Sequence, residues 1–397
     1  MPKLLYISLM RLPTEKAHGL QIMQNCEAFA AAGCEVTLWV ARRWNTSEMR
    51  QVKDPYAYYG VGANFAIRHI PCIDLFPLFP PDGVGARMAF YVLLLSYALA
   101  SVIPLLFSRA DIYYSRDELM LALLAQFRSN QSLVYEAHQY APSGRGAALQ
   151  RYVAARAGSV IAITERLRQD LIAERDADSA RAIVAHDGFR RARFSHLPTQ
   201  SQARRQIGWK EDAFIVGYLG RLQTLGMDKG VGILVDALST VDGARLALVG
   251  GPDETAQLLR ERWLERGLPA DRFLIVGQIS PADVPLHLRA FDVCAMPHPP
   301  TAQFSLYTSP LKLFEYMAAG RAIIASDLPA WSDVVADDDT ALLLPPDDIA
   351  AWTAAIERLK GDSNLRDRLG ARACARAWTH YTWRARAARI LAHIDSA

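Results

Sequence analysis

Lys312 occupies a helix position that ordinarily disfavours a cation. Ser309 is a good N-cap and Pro310 a good first helical residue, and both predict a helix that ends at Gly320. A lysine in the first turn opposes the helix dipole unless an anion is bound at the same end. The N–H groups of Leu311 and Lys312 would then point at that anion, as helix N-termini do with phosphate. We therefore predict an anion site here.

A carboxylate on the same helix suggests which kind of anion would bind. Glu315 follows Leu311 by four residues and shares its face, about 6 Å further along the axis. A nucleoside diphosphate lying along the helix would bring its ribose hydroxyls to this carboxylate. A solvated helical glutamate is the simpler alternative, and helix rules leave both open.

Two further cations follow a predicted strand, Phe214–Gly220. Arg221 comes directly after that strand, and Lys229 precedes the next predicted helix. If they converge, they could neutralise the charge that develops on a departing diphosphate. Their spacing fits two unrelated surface cations equally well.

The N-terminal half offers weaker signals. His18-Gly19 precedes the first predicted helix, where a glycine lets backbone approach a phosphate, although a simple turn explains it too. His138 follows a strand that ends at Tyr135, although a lone histidine is more often structural than catalytic. Neither position carries a G-x-G-x-x-G motif or a P-loop, which counts against a dinucleotide dehydrogenase and an NTPase.

The elements that must position these residues alternate between strand and helix. This alternation predicts parallel sheets covered by helices on both faces, with ligands beyond the carboxyl ends of the strands. We predict an N-terminal domain at residues 1–190, a polar linker at 191–208, a second domain at 209–380 and a C-terminal helical segment at 381–397. That last segment could pack on either domain.

Composition bounds the class of protein. The 397 residues suit two domains, and a net charge of +3 is too small to predict nucleic-acid binding. The five cysteines form no Cys-x-x-Cys pair, which argues against a zinc or redox motif and predicts a reducing cytoplasm. The sequence contains no metal-ligand cluster, so we expect neither a metal nor a cofactor.

One stretch raises the question of a membrane. Met88–Phe107 contains no charge and is flanked by Arg87 and Arg109, a length that could just cross a bilayer. Pro104 and several polar residues interrupt it, so we favour a buried or interfacial helix over a span. Together with the apolar Leu75–Pro80, it suggests peripheral contact with the cytoplasmic face of the inner membrane and a lipid-linked acceptor. Buried core is the alternative.

Three motifs in the C-terminal half occur in an order that resembles the retaining glycosyltransferases of family 4. They are Gly220-Arg221 with Asp228-Lys229-Gly230, the strand Leu246–Gly250, and Ser309-Pro310-x-Lys312-x-Phe314-Glu315-Tyr316-Met317-Ala318. The resemblance implies the GT-B fold, two Rossmann-like doubly wound domains facing a central cleft. It also implies transfer of a hexose from a UDP- or GDP-sugar to a glycan or lipid-linked acceptor hydroxyl, with retention and without an obligatory metal.

The resemblance also implies roles for individual residues. It assigns His138 to the transferred sugar, Arg221 and Lys229 to the diphosphate, and Glu315 to the ribose. Tyr307 departs from the pattern, because many members carry a glutamate there. Contacts to the sugar's 3- and 4-hydroxyls then fall to backbone amides around Thr308 and Ser309. The donor-binding set implied in this way is Gly19, Gly220, Thr308, Ser309, Leu311, Lys312 and Glu315.

Rival functions fit the same fold. A nucleotide-sugar epimerase or a sugar phosphorylase would use a similar donor site. A non-catalytic protein that binds a glycan or a partner is a third hypothesis, and Tyr307 is its main support.

Overall fold

The chain divides into two compact α/β units. A computed structural model describes residues 1–80, 83–224 and 227–396, so Ala397, the end of the predicted C-terminal segment, lies outside the described residues. Unit 1 comprises Met1–His186 and Trp383–Ala397, and unit 2 comprises Asp187–Thr382. Each unit is built on a parallel sheet, which confirms the predicted fold class.

In the described part of unit 1, seven parallel strands form one sheet in the order β3-β2-β1-β4-β5-β6-β7. The strands are β1 Lys3–Ser8, β2 Glu35–Ala41, β3 Ala66–Ile70, β4 Ile112–Ser115, β5 Leu133–Ala137, β6 Ser159–Ala162 and β7 Ala182–Val184. The helices of this stretch are α1 Ala17–Ala31, α2 Pro55–Tyr59, α3 Val84–Phe107, α4 Glu118–Leu124, α5 Gly144–Arg156 and α6 Glu165–Arg175.

Within unit 1, sequence analysis missed the strand β3. It lies at the edge of the sheet and pairs only with β2 among the described strands. Its residues are mostly exposed, so the sequence lacks the apolar run that marks the central strands β4 and β5.

Helix α3 buries one face and exposes the other. Buried residues recur along it about every fourth position, and the opposite face exposes large apolar side chains. Its most apolar window is 22% buried, which contradicts the buried-core alternative for the outer face. Among the described residues it is the one helix long and apolar enough to cross a membrane. The exposed apolar side chains are Val84, Met88, Phe90, Tyr91, Leu95, Leu99, Ile103, Leu106 and Phe107.

Within the described part of unit 2, six parallel strands form a sheet in the order β12-β11-β8-β13-β14-β15, and β9 and β10 form a short antiparallel pair. The strands are β8 Phe214–Leu219, β9 Gln223–Thr224, β10 Met227–Asp228, β11 Ala244–Val249, β12 Phe273–Gly277, β13 Val293–Met296, β14 Ala322–Ser326 and β15 Leu342–Leu344. The helices are α7 Arg191–Phe194, α8 Gln200–Gln206, α9 Gly232–Leu238, α10 Asp253–Glu265, α11 Val284–Ala290, α12 Ala302–Leu306, α13 Leu311–Ala318, α14 Ile349–Gly361 and α15 Ser363–His380.

The polar segment predicted as a linker, residues 191–208, forms α7 and α8 inside unit 2. Arg204 explains the difference. Its buried guanidinium lies 2.6 Å from a carboxylate oxygen of Asp292 and donates from Nε to the Ala290 carbonyl at 2.9 Å. The polar character that suggested a linker therefore serves tertiary packing, and unit 2 begins at Asp187.

The last helix, α16 (Trp383–Ser396), returns to unit 1 and packs against α1. Its Arg386 donates to the His186 carbonyl at 3.0 Å and to Oδ1 of Asn25 at 2.8 Å. Periodicity along the sequence could not choose the unit on which this helix packs, because its apolar stripe would fit either.

Candidate functional site

Gly220, at the carboxyl end of β8, makes room for Lys312. The glycine has φ +131°, a conformation that side chains rarely adopt, and a Cβ there would lie 3.2 Å from the Lys312 Nζ. Gly220 and Lys312, two members of the predicted donor-binding set, are therefore close together within unit 2.

Lys312 is a partly buried lysine with no carboxylate in hydrogen-bond reach among the described side chains. Its Nζ donates to the Tyr218 hydroxyl at 2.6 Å and lies 4.1 Å from the centre of that ring. Burial lowers the pKa of Lys312 well below its ordinary value, Lys229 lowers it further, and Glu315 partly opposes both. Since the cost lies in the charged form, a bound anion would relieve it.

Lys229 reaches the same region from the turn after β10. Its side chain is buried, and its Nζ lies 3.9 Å from the centre of the Phe304 ring. Burial lowers the pKa of Lys229 to about 8. The turn is fixed by Gly230, which has φ +76° and where a Cβ would clash with the Pro297 carbonyl oxygen.

His298 belongs to this cluster, and sequence reasoning missed it. The side chain is 1% exposed and contacts the rings of Phe304 and Trp331 edge-on. Its Nδ1 has no hydrogen-bond partner among the described atoms. Burial, Lys312 and Lys229 lower the pKa of His298 well below its ordinary value, so the ring is neutral. The available signal was its place just after β13, at the carboxyl edge of the sheet.

The start of α13 differs from the prediction. The helix begins at Leu311 with Pro310 in the N-cap position, and Ser309 does not cap it. Instead, the Ser309 hydroxyl accepts a hydrogen bond from the Asp187 N–H at 2.9 Å. Because the first N–H groups of any helix lack intrahelical partners, the amides at this start still suit an anion.

Glu315 lies beside Lys312 on α13. Burial raises the pKa of Glu315 to about 7, and Arg193 and Lys312 act in the opposite direction. Arg193 lies on α7, inside the segment that the sequence predicted to be a linker, so sequence analysis did not identify it.

The other two predicted residues of unit 2 are more exposed. Arg221 has an exposed side chain, and its carbonyl accepts from the Tyr218 hydroxyl at 2.6 Å. The Thr308 hydroxyl donates to the Gln303 carbonyl at 2.7 Å, so its side chain already has a partner. Within the described residues no group of three or more His, Cys, Asp or Glu side chains could hold a metal ion.

In unit 1, His138 is held by a buried carboxylate. Its Nε2 is hydrogen-bonded to Glu136, which also accepts from the Tyr114 hydroxyl. The guanidinium nitrogens of Arg116 and Arg386 lie 2.9 and 3.2 Å from the same carboxylate. Burial alone would raise the pKa of Glu136, but Arg116 and Arg386 outweigh it and hold that pKa well below its ordinary value.

Gly19 is required by packing within unit 1. A Cβ at this position would lie 2.5 Å from Thr14 Cγ2 and 2.6 Å from the Tyr59 hydroxyl. Its N–H donates to the Lys16 carbonyl at 3.0 Å. Close packing against Thr14 and Tyr59 therefore explains why a glycine is needed here, without an approach to a phosphate.

Residues 213–362 match the model of the family described as glycosyl transferases group 1. The chain is 29% identical over 260 residues to a D-inositol 3-phosphate glycosyltransferase of Kineococcus radiotolerans, covering 59% of this chain and 56% of the relative. It is 32% identical over 188 residues to a phosphatidyl-myo-inositol mannosyltransferase of Mycolicibacterium smegmatis, covering 46% and 45%.

The chain spans about half the length of the curated relatives it matches. Structural similarity extends further. The solved structure of Anabaena Alr3699/HepE in complex with UDP and glucose aligns over 100% of both chains, with a TM-score of 0.71 and 18% identity. The fold is thus the GT-B fold of glycosyltransferases, and the matched segment contains the Lys229, Lys312 and Glu315 cluster.

Proposed function

We propose that the protein is a retaining glycosyltransferase that moves a hexose from a UDP- or GDP-sugar to an acceptor hydroxyl. One observation carries the proposal: the buried Lys229 and the partly buried Lys312 lie with Glu315 beside a helix start, in the segment that matches glycosyl transferases group 1. Buried cations without carboxylate partners are costly, and a diphosphate would supply the missing charge.

The donor would lie along α13. Its diphosphate would contact Lys229, Lys312 and the first amides of the helix, with Arg221 reaching it from the end of β8. Glu315 would face the ribose hydroxyls. These groups stabilise the negative charge that grows on the diphosphate as the bond to the anomeric carbon breaks.

The transfer would take place on one face of the sugar. The bond between the anomeric carbon and the diphosphate oxygen breaks, the acceptor oxygen bonds to the same carbon on the same face, and the acceptor proton passes to the diphosphate. His138 would contact the transferred sugar, and backbone amides around Thr308 and Ser309 its 3- and 4-hydroxyls. We propose that neither a metal nor a cofactor takes part.

A thermal-shift screen tests the donor site. UDP, GDP and ADP, with and without attached sugars, should include one ligand that raises the melting temperature. At about 100 times its Kd, that ligand should stabilise the folded protein by about 2.7 kcal/mol. The shift should disappear in Lys229→Ala and persist in the control Lys210→Ala, an exposed lysine of the same unit. If no nucleotide raises the melting temperature, the proposal fails.

Product analysis separates the rival enzymes. Incubation of donor with a lipid extract should give a glycosylated product of retained anomeric configuration. Formation of an epimerised nucleotide sugar, or of a sugar phosphate in the presence of phosphate, would instead identify an epimerase or a phosphorylase.

The acceptor is proposed to be lipid-linked, in surface-polysaccharide or glycolipid assembly at the cytoplasmic face of the inner membrane. The exposed face of α3 supports this, because its apolar stripe would enter the interface while the exposed Arg87 and Arg109 meet anionic lipid. Liposome flotation should recover the wild type, and Leu99→Asp should reduce recovery. The control is Leu258→Asp, at an exposed leucine of unit 2. Equal recovery of all three proteins would contradict the contact.

A further inference from the structure

Unit 1 contains a basic cavity that the proposed donor site does not use. It has a volume of about 210 Å³ and lies beyond the carboxyl ends of β1 and β2, the edge where open parallel sheets bind ligands. Its lining residues are Arg11, Thr14, Glu15, Lys16, His18 and Arg43.

Cations outnumber carboxylates around this cavity. Arg11 pairs with Glu15 at 2.5 Å, and the Nε of Arg43 lies 3.2 Å from a carboxylate oxygen of Asp74. Lys16 adds a third positive charge against these two negative ones.

The imidazole of His18 lies among these charges, and they change its pKa. The pKa of His18 is lowered to about 4, first by burial and then by Arg116, Lys16 and Arg11, while Glu15 opposes them. The ring is therefore neutral near pH 7 and can donate or accept a hydrogen bond. Thr14 also lines the wall, and its hydroxyl accepts from the Lys16 N–H at 3.3 Å.

The cavity wall continues into the exposed apolar surface. The Arg43 guanidinium lies 5.0 Å from the centre of the Phe76 ring, and Leu78, two residues further along, is 72% exposed. The same segment is fastened to α3, because the Ile73 N–H donates to the Ser96 hydroxyl at 2.8 Å. Arg43 therefore lies between the polar cavity and the exposed apolar surface.

We propose that this cavity binds the phosphate group of a lipid acceptor, whose chain lies towards the exposed face of α3. The inference rests on the proposed function and assigns a binding site to the phosphate of its lipid-linked acceptor. Arg43 presents the planar fork that matches phosphate oxygens, and Lys16 adds a point charge. The donor diphosphate has its own cations in unit 2, so a second anion site fits a second substrate.

Vesicle binding tests the proposal with a defined probe. With UDP present to fill the donor site, the protein should prefer phosphatidylcholine vesicles that contain phosphatidic acid over phosphatidylcholine alone. Arg43→Gln and Lys16→Gln should each reduce that preference about tenfold, the usual effect of losing one charge-assisted contact. Arg43→Lys, which keeps the charge and loses the fork, should fall between.

Arg42→Gln is the matched control. It removes the same charge from the adjacent residue, which is exposed and does not line the cavity, so the preference should stay at the wild-type level. An equal loss in Arg42→Gln, or no loss in Arg43→Gln at an unchanged melting temperature, would overturn the site.

A soluble phosphate is distinguished in a separate arm. Glycerol 3-phosphate should raise the melting temperature only weakly. If it binds as tightly as the vesicles and depends on Arg43 in the same way, the lipid assignment is overturned. A failure of every nucleotide in the thermal-shift screen to bind would instead count against the proposed function, so the two failures are distinguishable.

Discussion

The two units bury charge in opposite ways. In unit 1, Glu136 is surrounded by Arg116, Arg386, Tyr114 and His138, so its negative charge is fully compensated inside the protein. Unit 2 holds a buried lysine, Lys229, and a partly buried one, Lys312, whose neighbours are aromatic rings and a hydroxyl. The first cluster is complete as folded, whereas the proposed donor diphosphate would supply the counter-charge of the second.

This difference separates residues that stabilise the fold from residues that bind a ligand. Removing a group from a compensated cluster leaves a buried charge without its partner and destabilises the fold. Removing a group from an uncompensated cluster relieves a cost and damages binding instead. Variants in the two units should therefore change opposite measurements.

The largest expected effect is on the stability of unit 1. Glu136→Gln leaves Arg116 and Arg386 buried without a counter-charge and should lower the free energy of unfolding by about 3–5 kcal/mol. Denaturant titration measures it. Glu48→Gln, at an exposed glutamate of the same unit, should change stability by less than about 0.5 kcal/mol.

The same variant has a pH signature. The folded pKa of Glu136 is depressed, so its stabilising contribution is complete above the unfolded pKa and is lost as pH falls through the folded one. Acid should therefore destabilise the wild type more than Glu136→Gln. Parallel acid-unfolding curves for the two proteins would contradict the compensated cluster.

Next in size is the loss of turnover in unit 2. Lys229→Ala removes a cation from the departing diphosphate and should lower kcat by about 10²–10³-fold, the usual cost of one such group. Circular dichroism should show an unchanged fold. Near-wild-type transfer by a folded Lys229→Ala protein would remove this lysine from the mechanism.

A smaller effect is expected from replacing Lys312, where stability of the unliganded protein and affinity for nucleotide should change in opposite directions. Lys312→Met replaces a partly buried cation of depressed pKa with an apolar side chain and should stabilise the unliganded protein by about 1–2 kcal/mol. Nucleotide affinity should fall by about tenfold at the same time. Melting curves with and without nucleotide give both values, and a destabilised apo protein would show that Lys312 has a structural partner.

The smallest effect near neutral pH is the pH dependence of nucleotide affinity. Lys229 has a pKa of about 8, so affinity should weaken above pH 8, approaching tenfold per pH unit. The free energy of unfolding of the unliganded protein should rise above pH 8, because the folded lysine loses its proton there while the unfolded lysine keeps it up to about pH 10.5. Lys229→Arg stays charged and should abolish both trends. A wild-type affinity that is flat between pH 7 and 9.5 would exclude Lys229 from the anion site.

Sequence reasoning found those features of the site that depend on neighbouring residues. Lys312 stood out because helix rules disfavour a first-turn cation, and Glu315 because four residues bring it to the same face. Apolar runs located most strands of both sheets within one or two residues, and the uncharged stretch that became α3 was found in the same way.

Other parts of the site depend on packing between distant segments. Arg386 reaches Glu136 from the last helix, His298 joins the lysines through the rings around it, and Ser309 accepts from Asp187 instead of capping its helix. No local period encodes such contacts, because they form only when separate elements are brought against one another.

The sequence by itself determined two parallel-sheet units, a long apolar helix and a helix that carries both Lys312 and Glu315, since these follow from short-range periodicity and charge. The tertiary structure decided which cations are buried, which carboxylate is compensated and which unit holds the last helix. Burial is the physical reason for the difference: it sets the cost of each charge, and only the folded chain determines it.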